Sequence, residues 1–299
     1  MSKLNPMSKV ARSRFGREPS SFLQSASTRR RLRRYLSSVV GALLFVTITS
    51  GILASPLAGA TPPKKFVAIV RTQDGNGYWL VDKKGDVEAF GDAVFYGDLR
   101  GLGVTNVVGM ARTADGQGYW LVTGSGSIDA FADAHFYGDL STTRVVGMSV
   151  TGDGQGYWLT TSTGQVSSFG DALFYGDVAG VPKVGKIVGM ATSGDGHGYW
   201  QLSKKALTYP FGDAIFYGDL RGLGKTAVGM ALTADGEGYW ILTDTGTVNA
   251  FGDATFYGDL NTTDVMGMSA TTDGHGYWVL QRSGAVTAFG DAAFYGSGS

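Results

Sequence analysis

An eight-residue phrase, first read as Thr72-Gln73-Asp74-Gly75-Asn76-Gly77-Tyr78-Trp79, returns five more times along the chain. The later copies end at Trp120, Trp158, Trp200, Trp240 and Trp278, so each of the 6 tryptophans closes one copy. Successive tryptophans lie 41, 38, 42, 40 and 38 residues apart. A fixed period of about 40 residues marks a repeat architecture, in which a unit too small to bury its own apolar face stacks on its neighbours. Any fold for this chain must therefore accommodate six copies of one short unit.

Each unit reads as four short strands. An apolar segment such as Val107-Val108-Gly109-Met110-Ala111 comes first, followed by the Asp-Gly phrase. Asp-Gly between apolar runs is a strong hairpin signal, because both residues tolerate positive φ. Tyr78 to Val81 and its counterparts supply the second strand. A glycine turn (Lys84-Gly85, Thr245-Gly246) leads into an alternating third strand such as Gly246 to Phe251. Phe-Gly-Asp-Ala then turns the chain into x-Phe-Tyr-Gly-Asp-Leu, read as the fourth. No segment has a helical period. The expectation is an all-β chain forming a six-bladed β-propeller of four-stranded repeats. A second periodicity opens an alternative. Asp98-Leu99-Arg100-Gly101-Leu102-Gly103 returns three units later as Asp219 to Gly224, and Asp139 to Thr143 is echoed by Asp259 to Thr263. Two tandem β-trefoils would also fit such a doubled block, although no polar linker separates the third and fourth repeats.

The formal net charge of zero hides an asymmetry. Residues 1–60 carry 10 of the 25 Lys and Arg but a single acidic residue, Glu18, which leaves 15 basic against 24 acidic side chains beyond them. An acidic body lacks the basic footprint of a nucleic-acid binder, so no nucleic-acid partner is expected. The amino-terminal stretch runs from the basic Arg29–Arg34 cluster through the uncharged, mostly apolar Ser37–Leu53 to the small-residue pattern Ala58-Gly59-Ala60. That order describes a secretory signal peptide; a single-span anchor is the alternative, with membrane contact confined to residues 37–54. Residues 1–60 are thus read as a targeting segment, 61–65 as a stiff linker and 66–299 as the repeat body. The body is expected to be secreted or held at the cell envelope. With 0 cysteines there are no disulfides or thiolate metal sites.

The recurring polar and aromatic residues are the candidate functional groups. Asp74, Asp115, Asp153, Asp195, Asp235 and Asp273 are read as turn-capping carboxylates, and Trp79, Trp120, Trp158, Trp200, Trp240 and Trp278 as buried packing residues. The second phrase contributes Asp92, Asp133, Asp171, Asp213, Asp253 and Asp291. Calcium was weighed for these, since hard cations take oxygen ligands, but one carboxylate per turn favours capping. Tyr96, Tyr137, Tyr175, Tyr217, Tyr257 and Tyr295 are the candidate sugar-stacking platforms, with half-buried strand residues that keep their hydroxyls wet as the favoured alternative. No metal, cofactor or catalytic residue is expected. A nucleophile elbow G-x-S-x-G is absent from the sequence, and His135, His197 and His275 fall at variable places. Three departures from the repeat stand out: Ala132 for glycine, Val181-Pro182 in the third linker, and Lys204 to Pro210 in the fourth repeat.

The phrase T/S-x-D-G-x-G-Y-W resembles the Asp-box of sialidase-type propellers, with hydroxyl, aspartate and tryptophan spacing kept in all copies and the glycines placed differently. The resemblance implies a structural turn away from any catalytic centre. Across about 230 residues the body also resembles a family of secreted actinobacterial proteins built from GYWLV and FGDA/FYG units. That implies an exported repeat domain without a settled activity. The combined expectation is a non-catalytic module binding a cell-wall or extracellular glycan, or a protein partner, through several similar surface sites, which would gain by avidity. A glycan or ester hydrolase with its site on the propeller axis is one alternative, and a structural envelope protein is another.

Overall fold

The computed structural model describes residues 63–141 and 144–299, all within the compact unit Ala60–Ser299. The signal-peptide or anchor segment, its Ala58–Ala60 site and the start of the linker lie outside the described residues. Among the described residues no helix is long and apolar enough to cross a membrane.

Eighteen strands form six antiparallel sheets, each drawn from one repeat in simple meander order. The first sheet is β1 (Phe66–Arg71), β2 (Gly77–Asp82) and β3 (Val87–Gly91), the second β4 (Val107–Arg112), β5 (Gly118–Thr123) and β6 (Ile128–Ala132). The third is β7 (Val145–Val150), β8 (Gly156–Thr161) and β9 (Val166–Gly170), the fourth β10 (Ile187–Thr192), β11 (Gly198–Ser203) and β12 (Thr208–Gly212). The fifth is β13 (Ala227–Leu232), β14 (Gly238–Thr243) and β15 (Val248–Gly252), the sixth β16 (Val265–Ala270), β17 (Gly276–Gln281) and β18 (Val286–Gly290). First strands pack on one another in chain order, from β1 on β4 through to β13 on β16, and β16 in turn meets β1. A trefoil would pair strands of different repeats in a barrel; here every sheet belongs to one repeat.

The middle strands are buried almost end to end. Tyr78 and Trp79, being neighbours on β2, point to opposite faces of the sheet. Trp79 meets Tyr119 of the second unit with ring centroids 5.7 Å apart. The same contact recurs at each junction, and Trp278 of the sixth unit meets Tyr78 of the first at 5.7 Å. Edge-on and tilted ring contacts of this kind are favoured over face-to-face stacking.

The expected fourth strand does not form. The segment Val94–Leu99 forms no strand: its last amide, that of Leu99, donates to Gly85 O, and side chains take up several of its other backbone groups. Trp79 Nε1 of the same unit donates to Val94 O at 2.7 Å. Tyr119 of the next unit accepts from the Tyr96 amide at 3.1 Å and donates to Gly97 O at 2.6 Å. Each sheet is therefore three-stranded, and its last segment crosses to the neighbouring unit.

Trp158→Ala is expected to cost roughly 3–5 kcal/mol in urea unfolding of the full chain. Tyr157→Phe, which strands the carbonyl of Gly138, should cost about 1–3 kcal/mol. Tyr78 makes the equivalent bond to Gly296 O across the first and last units, so Tyr78→Phe should cost as much. A negligible loss there would show that those units are not clasped.

Candidate functional site

The repeated Asp-Gly turn is tied by its own side chains. Thr72 Oγ1 donates to Asp74 Oδ1 at 2.9 Å and accepts from the Gly77 amide at 3.0 Å, while Asp74 Oδ1 accepts from the Asn76 amide at 3.1 Å. Asp115, Asp153, Asp195, Asp235 and Asp273 accept in the same way from the residue two places on. Each of these aspartates therefore caps a turn, as such residues do. The tryptophans are all buried.

The second glycine of the phrase has a separate role. A Cβ at Gly77 would sit 2.6 Å from Asp92 Oδ1 and 2.3 Å from Phe90 O, and all six units show the same closeness. Only glycine lets the Phe-Gly-Asp-Ala turn lie on the Asp-Gly turn. The two aspartate sets, read separately in the sequence, are thereby brought together in every unit as Asp74 with Asp92, Asp115 with Asp133, and so on.

The candidate tyrosines are half-buried and span the junctions. Tyr96 OH donates to Gly116 O of the next unit at 3.1 Å, Tyr137 OH to Gly154 O at 3.1 Å, and Tyr295 OH to Gly75 O at 3.2 Å. Tyr175, Tyr217 and Tyr257 do the same with Gly196, Gly236 and Gly274. Beside these rings lie pockets of one design, lined by the aspartate pair and tyrosine of one unit and the Asp-Gly turn of the next. The pocket between the first and second units has a volume of about 480 Å³, that between the second and third about 470 Å³, and that between the sixth and first about 400 Å³.

Electrostatics splits the paired carboxyls. Hydrogen bonds from the Asn76 amide and from Thr72 hold Asp74 down at about 2. Asp115, Asp195 and Asp273 are lowered for the same reason, the amide bond first. Their partners Asp92, Asp133, Asp213 and Asp291 are raised, by burial first and then by the neighbouring aspartate. In the last three units the variable residue of the phrase joins the pair. Asp195 with His197 and Asp213, Asp235 with Glu237 and Asp253, and Asp273 with His275 and Asp291 each place three ligand-type atoms within 4.8 Å, all on exposed residues. His135 instead lies in the pocket between the second and third units.

One feature escaped the sequence reading. Beside each half-buried tyrosine the preceding phenylalanine faces solvent: Phe95, Phe136, Phe174, Phe216, Phe256 and Phe294 are 42–60% exposed. The alternation that turns Tyr96 inward turns Phe95 outward, so the signal was present in the Phe-Tyr dipeptide. The departures from the repeat keep the common backbone, with Ala132 and Ala206 at positive φ where other units have glycine.

No protein-family model matches the chain, and no curated protein sequence matches it. Among solved structures it is similar to the β-propeller domain of Cps50 (Swd1) from Myceliophteria thermophila, at 9% identity and a TM-score of 0.54. The match covers 79% of this chain and 99% of that one. The likeness shows the fold, a β-propeller, built here from six three-stranded sheets.

The paired carboxyls imply an acid-dependent stability with two limbs of opposite sign. The lowered set (Asp74 and its counterparts) stabilises fully above the ordinary value of 3.8 and loses that contribution as pH falls below it, for Asp74 through about 2. The raised set (Asp92, Asp133, Asp213 and Asp291) destabilises at neutral pH, and this penalty disappears as pH falls through their raised values towards 3.8. Unfolding midpoints measured across this range should rise on mild acidification and then drop. Asp92→Asn should raise the midpoint at neutral pH; a lowered midpoint there would show that Asp92 is needed charged.

Proposed function

We propose that the six sheets are the blades of one closed ring, and that the ring is an exported, non-catalytic module binding a cell-wall or extracellular glycan. Closure is supported by the Trp278–Tyr78 contact, by the Tyr78–Gly296 hydrogen bond, and by the pocket shared between the last and first units. The single observation that carries the binding reading is the recurrence of one pocket type at successive junctions. Each offers an aromatic ring edge, two carboxylates able to accept from hydroxyl groups, and turn peptides. Aromatic surface beside convergent polar groups is the composition that polyhydroxylated ligands call for. Weak sites repeated around a ring suit a polymer with a repeat of its own, because the second and later contacts form at high effective concentration.

Each aspartate pair lies within one unit, and its first member caps a turn in all six, which is the behaviour of structure more than of a single catalytic centre. Full-length protein incubated with insoluble peptidoglycan and a panel of polysaccharides should be retained, competed off by free oligosaccharide, and release no fragments. Tyr96→Ala should weaken retention a few-fold, about what losing one site of several in an avid array costs. Released fragments would instead establish the hydrolase, and neither retention nor release would leave a protein partner or a structural role.

A further inference from the structure

The last residue of the first strand breaks the repeat. In chain order the six positions are Arg71, Arg112, Val150, Thr192, Leu232 and Ala270. The first and fourth units share the Asp-Leu-Arg-Gly-Leu-Gly stretch, yet the first has Arg71 where the fourth has Thr192, and the second has Arg112 where the fifth has Leu232. The fold is satisfied by a small or apolar residue here four times in six, so it does not require arginine.

Both arginines are half-buried, on strands β1 and β4 that pack directly together. Arg71 Nη1 donates to Thr72 O and Gln73 O, both at 3.1 Å, and Arg112 Nη1 to Thr113 O at 2.8 Å and Ala114 O at 3.1 Å. Those bonds fix each guanidinium against its own Asp-Gly turn. They leave Nε and Nη2 of both without a protein acceptor among the described residues, and no carboxylate lies within ion-pair reach of either. Burial lowers Arg71, and burial followed by the Arg71 charge lowers Arg112 to about 10; the opposing pull of Asp115 is the smallest of its influences. Two like charges thus sit on adjacent strands, partly out of water, and their remaining donors have no protein acceptor among the described residues. An arginine fork matches a carboxylate or phosphate in two parallel bonds, and a desolvated cation pair gains most from such an anion.

We propose that Arg71 and Arg112 form an anion site at the end of the first strands, which takes one carboxylate or phosphate group of a ligand. Neither arginine is among the residues lining the junction pockets, although each holds turn peptides that do, and the assignment does not depend on what those pockets bind.

The test is calorimetric titration of the full-length chain at constant ionic strength, with inorganic phosphate and, separately, with acetate. Saturable uptake of one anion per chain is expected, and the tighter of the two identifies the head group. The double variant Arg71→Gln/Arg112→Gln should bind at least about tenfold more weakly, each single variant should fall between, and the exposed Arg100→Gln should be unchanged. Should the double variant fail to keep its near-ultraviolet circular dichroism, Arg71→Lys/Arg112→Lys carries the test: it retains charge but lacks the fork, and should lose most of the binding. No saturable uptake of either anion by the natural chain, full uptake by the double glutamine or lysine variant, or an equal loss in Arg100→Gln would overturn the assignment.

Discussion

Everything in this body hangs on the contact between the tryptophan of one sheet and the tyrosine of the next. A three-stranded sheet of short strands cannot shield both faces of its middle strand, and here that strand is buried nearly throughout. The tyrosine closes one face with its ring and does a second task with its hydroxyl. Tyr119 holds the Tyr96 amide and the Gly97 carbonyl, so the tail of the first unit is bonded by the core of the second. No unit is complete alone. In such assemblies the stability resides in the interfaces between neighbours as much as in the repeats themselves. The junction pockets inherit their shape from the same clasp, since Tyr96 reaches the Gly116 carbonyl from the segment that Tyr119 pins.

This arrangement explains what could be read in the sequence and what could not. The Asp-Gly hairpin, the buried Tyr-Trp strand and the alternating third strand are local: turn chemistry and period-two patterning specify them within a few residues. The fourth strand was expected because Phe-Tyr-Gly-Asp-Leu looks like a strand. Its partners, however, are Trp79 Nε1 and Tyr119 OH, and a side-chain atom 15 or 23 residues away leaves no trace in local periodicity. The pairing of Asp74 with Asp92 was hidden for a similar reason. Its mark is Gly77, the second glycine of the phrase, which is needed to let the second turn approach. The aspartates were therefore weighed one turn at a time, as if each carboxylate stood by itself.

From sequence the tyrosines could be sugar platforms or half-buried strand residues, and the second describes their burial. Half-buried and hydrogen-bonded across a junction, they line pockets more than they present flat faces, while the outward-facing phenylalanines are the freely accessible rings. Both sets repeat six times, so both are consistent with the demands of the fold. Repetition alone therefore says little about ligands: a residue that recurs in every unit can always be doing what the unit needs.

The converse carries more weight. Within the common turn the variable place reads Asn76, Gln117, Gln155, His197, Glu237 and His275, and it moves from amides in the first half to ionisable groups in the second. The backbone beneath it does not change, since each amide still donates to the capping aspartate. The scaffold thus tolerates different chemistry at one geometric position. The arginines at the end of β1 and β4 extend the same logic to the first strands, where apolar and hydroxyl residues serve the other four units equally well. A partly buried pair of cations without a carboxylate is an expense that folding alone would remove by substituting Thr or Leu, as the fourth and fifth units do. Its presence on two adjacent strands therefore points away from packing and towards a charge supplied from outside the chain.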